Sequence, residues 1–159
     1  MIVIVLNGSI NSGKTTTGRA LAAILPGARF IDGDDHGILE SVPFQEMIDR
    51  AVLWVADQIT AATEPVLVIA YPMRDSDFAK LQSACAARNA RLFVATLAPP
   101  LAVALTNRGA RELDDGERAR IHEMYAEGYP ARAFSDVIIT DLTTLQQTAA
   151  MLALRISQL

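Results

Sequence analysis

The segment Gly8-Ser9-Ile10-Asn11-Ser12-Gly13-Lys14-Thr15 has the spacing Gly-x-x-x-x-Gly-Lys-Ser/Thr, a set of residue types suited to holding the phosphates of a nucleotide. In such a loop the backbone N–H groups of Gly8, Ser9, Asn11, Ser12 and Gly13 curl around the anion. Lys14 reaches the terminal phosphates, and the Thr15 hydroxyl is placed to ligand Mg²⁺. Thr16 and the residues after it read as a helix, whose aligned peptide dipoles favour phosphate charge at its start. The plain alternative is an ordinary Gly-rich turn.

A second group of reactive residues follows at Asp32-Gly33-Asp34-Asp35-His36. Three carboxylates this close repel one another unless a cation or a mobile proton shares their site. Strand alternation puts Asp32 and Asp34 on the same side if the strand geometry continues through them. One can then orient the water shell of Mg²⁺ while the other accepts a proton from an attacking hydroxyl. The competing reading is a solvated acidic turn in which Asp34 or Asp35 caps the next helix, and capping is the expected task of Asp35. His36 reads either as a hydrogen-bonding partner of a substrate or as a structural residue at a helix start.

These residues need a scaffold, and the hydrophobic pattern supplies one. Apolar runs predict strands at 2–6, 28–31, 66–70, 91–97 and 136–139, and amphipathic periodicity predicts helices at 14–25, 44–63, 76–89, 99–107, 115–127 and 142–157. Strictly alternating strands and helices imply a parallel sheet covered on both faces. Open sheets of this kind bind ligands beyond the carboxyl ends of their strands. Both motifs fall there, as do Tyr71-Pro72-Met73-Arg74-Asp75 and the stretch after the fourth strand. Tyr71 can stack on a ring or donate a hydrogen bond, and Arg74 can pair with an anionic group; the alternatives are packing on the next helix and a solvated guanidinium. Arg50 reads as a surface ion-pair partner or as facing the acceptor.

The chain of 159 residues is expected to form one domain. A formal charge of −4 and a sequence pI near 5.1 disfavour nucleic acid as a partner. The single cysteine, Cys85, cannot form an internal disulfide and reads as a small core residue. The apolar N-terminal run is too short for a signal peptide, and no run approaches a membrane span. The expectation is a cytoplasmic monomer or weak homodimer without a membrane partner.

A phosphate loop near residue 8, a helix and then Ile31-Asp32-Gly33-Asp34 resemble the P-loop small-molecule kinases: shikimate kinase, gluconate kinase, adenylylsulfate kinase and chloramphenicol phosphotransferase. The resemblance implies a P-loop NTPase fold like that of the nucleoside monophosphate kinases, with a five-stranded parallel sheet, ATP and Mg²⁺ as cofactors, and a small-molecule acceptor. It also implies a magnesium-linked Asp32 and an Asp34 that touches the acceptor hydroxyl. The turn after the third strand departs from shikimate kinase, where three glycines stand. It is more similar to the Ser-Pro-Tyr-Arg turn of adenylylsulfate kinase, so shikimate is not the expected acceptor.

Glycines and charges crowd into residues 108–118, which read as a lid. By the same resemblance Arg111 closes on the transferring phosphoryl group and Arg108 lies over the adenine; the alternative is a solvated helix face. Thr140-Asp141-Leu142-Thr143 correspond by order to the loop that borders adenine, or cap a helix. The expected activity is transfer of the γ-phosphoryl of ATP to a hydroxyl. Two other classes compete. A regulatory GTPase would use Asp34-Asp35-His36-Gly37 as its Asp-x-x-Gly, but no Asn-Lys-x-Asp guanine reader is present. A nucleotide-binding module without an acceptor is the third.

Overall fold

The computed structural model describes residues 1–37, 41–107, 112–141 and 144–159. Five parallel strands, β1 (Ile2–Asn7), β2 (Ala28–Asp32), β3 (Val66–Ala70), β4 (Arg91–Leu97) and β5 (Val137–Ile139), lie in the order β2-β3-β1-β4-β5. The helices are α1 (Lys14–Ile24), α2 (Phe44–Ala61), α3 (Asp75–Ala87), α4 (Leu101–Ala104), α5 (Asp115–Ala126) and α6 (Leu145–Ile156). A 3-10 turn, Tyr129–Ala131, precedes β5.

The central strand explains the two-sided core. Val3 and Val5 of β1 pack with Val52, Val55 and Ile59 of α2 and with Leu81 of α3. Ile4 and Leu6 point the other way, toward Leu21 of α1 and Ala149 and Leu152 of α6. A strand buried on both faces is apolar at every position, which is why Ile2–Leu6 is an unbroken run. Cys85 belongs to the first of these cores, and burial pushes its thiol up to about 11. No helix among the described residues is long and apolar enough to cross a membrane.

Two predicted helices are corrected. The 99–107 helix is a single turn, 101–104, because its outer carbonyls are taken by side chains. Asn11 Nδ2 donates to Ala104 O and to Thr106 O, each at 2.8 Å, and Arg118 donates to Leu105 O. The last helix begins at Leu145 with Thr144 as its cap, accepting from Gln147 N at 3.2 Å, so neither Thr140 nor Asp141 caps it. No helix starts within 33–37 either, so Asp34 and Asp35 cap nothing. Their N–H groups turn back instead to Asp32 Oδ1, at 3.3 Å, and to Asp32 O, at 3.1 Å.

Candidate functional site

The phosphate-loop sequence forms the connection between β1 and α1. Its tight path explains the first glycine: a Cβ on Gly8, at φ 140°, would strike Leu97 O and come within 2.7 Å of Ser12 Oγ. Lys14 opens α1 and folds its Nζ back over the loop to Ser9 O at 2.6 Å. Ser9 and Ser12 are buried behind the loop. Among the described residues Ser12 Oγ meets no hydrogen-bond partner. One residue before the motif, buried Asn7 anchors the loop's entry. Its Nδ2 donates to Thr96 Oγ1, and its Oδ1 accepts from Met73 N, both at 2.9 Å. That residue was missed in the sequence, where its one signal is a polar side chain ending an apolar strand.

Across from the loop, the Asp32-Gly33-Asp34 turn is pressed against Tyr71. Gly33 N donates to Ala70 O at 2.8 Å, and a Cβ on Gly33 would sit 2.5 Å from the Tyr71 ring. Gly33 is therefore the residue that lets an aromatic ring underlie the two carboxylates. The Tyr71 hydroxyl is buried without a hydrogen-bond partner, and burial raises its pKa far above the usual tyrosine range. An unpaired buried hydroxyl costs stability.

A cleft of about 680 Å³ joins these parts. Gly13, Lys14, Thr15, Thr16, Asp32 and Asp34 all border it, and so does Tyr71. Thr144, Leu145 and Thr148 at the start of α6 border the end near the phosphate loop. Among the described residues no group of three or more His, Cys, Asp or Glu is arranged to hold a metal. Mg²⁺ in nucleotide sites commonly needs only one or two protein ligands beside phosphates and waters, and the Thr15 hydroxyl with the Asp32 carboxylate fits that requirement.

Solved structures with the same architecture cover nearly the whole chain. Shikimate kinase from Aquifex aeolicus aligns with a TM-score of 0.71 at 17% identity, over 99% of this chain and 99% of that one. APS kinase from Mycobacterium tuberculosis, solved with AMPPNP and APS, gives 0.68 at 16% identity, over 98% of this chain and 97% of that one. The tunicamycin resistance protein from Deinococcus radiodurans gives 0.63 at 21% identity, over 98% and 95%. The chain has the fold of the P-loop small-molecule kinases. No family model matches the sequence, and no curated protein matches it either.

Within this kinase fold the arginines are placed unevenly. Arg74 does not border the cleft. Its Nε and a terminal nitrogen hold the fully buried Asp77 carboxylate at 2.9 and 2.8 Å, and that same terminal nitrogen reaches Asp49 at 2.8 Å. These bonds join α2 to the start of α3 and, with Asp77 foremost, raise the pKa of Arg74 further. Arg50 pairs with Glu46 on the exposed side of α2. Arg120 of α5, read in the sequence as part of a charged helix face, does border the cleft. Its signal there is indistinct, since Glu123 and Glu127 surround it in sequence just as Glu117 and Arg118 do. Arg108 and Arg111 lie outside the described residues, together with Leu142 and Thr143. Across residues 108–111, Arg118 and Leu113 N donate to Asn107 Oδ1 at 3.0 and 3.1 Å.

Arg74→Ala separates a structural from a substrate-binding role. Removing one partner of a buried ion pair leaves an uncompensated charge, here on Asp77, and should cost about 3 kcal/mol. This is the low end of the usual range because Arg74 is 23% exposed. Urea denaturation measures the loss. An unchanged midpoint combined with a raised KM would assign Arg74 to the substrate instead.

Proposed function

We propose that the chain is a single-domain, ATP-dependent kinase that moves the γ-phosphoryl group to a hydroxyl of a small molecule. The observation that carries this reading is one cleft bordered both by Gly13, Lys14 and Thr15 of the loop and by the Asp32 and Asp34 carboxylates. Phosphoryl transfer asks the protein mainly for alignment and charge neutralisation. The loop amides and Lys14 hold the donor's phosphates, and the Asp34 carboxylate, exposed at the cleft, takes the hydroxyl proton as the acceptor oxygen bonds to phosphorus. The bond from phosphorus to the β-bridging oxygen breaks, and ADP leaves with that oxygen. Mg²⁺, held by Thr15 and Asp32, would draw charge from the β- and γ-phosphate oxygens. Arg111 is assigned to the transferring group and Arg108 to the adenine, both on the strength of the resemblance.

Nucleotide titration and product release test this reading together. The protein should bind ATP in the presence of Mg²⁺ in preference to GTP. Addition of hydroxylated small molecules, presented as a panel of polyols, sugar acids, nucleosides and hydroxylated antibiotics, should stimulate ADP release. A GTP preference would favour a regulatory switch. Tight ATP binding with no stimulation by any acceptor would favour a nucleotide-binding module.

A further inference from the structure

Away from the phosphate loop the cleft is lined largely by apolar side chains, and its arginine is shared by two carboxylates. α2 contributes Phe44, Met47 and Ile48, the end of β3 contributes Tyr71 and Pro72, and α5 contributes Met124. Arg120 is the one arginine among the described residues that borders the cleft, and three of its five N–H groups are taken by carboxylates. It donates to Glu123 at 2.9 Å and to both carboxylate oxygens of Glu127, at 2.7 and 3.2 Å. Its guanidinium also lies 5.9 Å from the centre of the Phe44 ring. With two carboxylates on one guanidinium, the cluster keeps a net negative charge.

Arg74 repeats the arrangement, whereas Arg132 carries a single carboxylate among the described residues. Arg74 is shared by Asp77 and Asp49, again two carboxylates to one cation. Arg132 pairs with Asp75 at 3.2 Å and stacks on Tyr129, which borders the cleft. Two further basic side chains border the cleft among the described residues. Lys14 belongs to the phosphate loop, and His36 follows the two carboxylates on their own turn. An anionic group placed here would compete with Glu123 and Glu127 for Arg120 and would meet Asp32 and Asp34 as well. An apolar ring would instead cover the Phe44, Met47 and Tyr71 surfaces at little polar cost.

We propose that the acceptor is a non-anionic alcohol with an apolar, ring-bearing body, uncharged or carrying an amine, and not a carboxylated, sulfated or phosphorylated one. This rests on the kinase reading above and names the substrate class of the same site; the phosphoryl step is unchanged.

Three alcohols that share a skeleton and differ in charge test it: benzyl alcohol, 4-(hydroxymethyl)benzylamine and 4-(hydroxymethyl)benzoate. Their binding to the full chain is measured by ligand-observed NMR, with and without Mg²⁺ and AMPPNP. The neutral and amine compounds should bind at least tenfold more tightly than the carboxylate. In the Glu123→Gln/Glu127→Gln double variant Arg120 is released, and the discrimination against the carboxylate should shrink severalfold while AMPPNP affinity holds. Equal or tighter binding of the carboxylate to the unaltered protein overturns the proposal. So does binding of AMPPNP with no binding of any of the three. Failure of the kinase reading looks different: AMPPNP with Mg²⁺ fails to bind, or its binding is indifferent to Lys14→Ala, whichever alcohol binds.

Discussion

Lys14→Ala should lower phosphoryl transfer by a factor of about 10² to 10³ or more while leaving the folded state unchanged. Lys14 is the one lysine or arginine in the Gly8–Thr15 motif, and its Nζ is held over the loop by Ser9 O. A preorganised cation beside the terminal phosphates acts where charge redistributes in the transition state, and losing one such group typically costs this much. Stability should not suffer. Lys14 is the first residue of α1, and alanine is the best helix former. Steady-state kinetics, nucleotide titration and a thermal melt by circular dichroism check all three parts. Normal turnover in the variant would remove the loop from the chemistry.

The second large effect separates the two carboxylates. Asp34→Asn keeps the shape of the side chain and removes its basicity, so kcat should fall by about 10² to 10⁴, the usual worth of a general base, with ATP affinity nearly unchanged. Asp32 is differently placed. It ends β2 and is partly buried, with Oδ1 accepting from Asp34 N. Asp32→Asn should leave the turn in place and raise the Mg²⁺ concentration needed for half-maximal rate by about tenfold. Titration of Mg²⁺ against rate distinguishes the variants. Superimposable Mg²⁺ curves would mean that the carboxylates do not divide the work in this way.

The three inner strands, β3, β1 and β4, were legible because they are buried on both faces. Val66–Ala70 and Arg91–Leu97 stand where the apolar runs ended, and the other strands differ by one residue at an end. The tight turn from Gly8 to Thr15 was legible for a related reason, since the glycine its path requires and the residues that close it lie within one contiguous segment. What was not legible depends on contacts between distant residues. The helix after β4 stops after one turn because Asn11, some 93 residues away, takes its carbonyls. The use of Arg74 is decided by Asp77 and Asp49, and periodicity does not say which of several nearby carboxylates a guanidinium will meet. The contact of Gly33 with the Tyr71 ring joins two motifs that read separately in the sequence.

The strand order also bears on how the chain is made. β1 lies at the centre of the sheet, but Ile2 is in register with Val66 on one side and Arg91 on the other. A ribosome adding roughly 5–20 residues each second produces β1 several seconds or more before both neighbours exist. During that interval an apolar segment of high β-propensity has neither flank covered, the condition under which nascent chains associate wrongly. Pairing across such sequence separations is slow in itself, because the intervening loops must close before the contacts can form. The strand that aims the phosphate loop is thus the one most dependent on protection during synthesis, and the yield of folded protein should respond to translation speed and to holding chaperones more than to changes at the cleft.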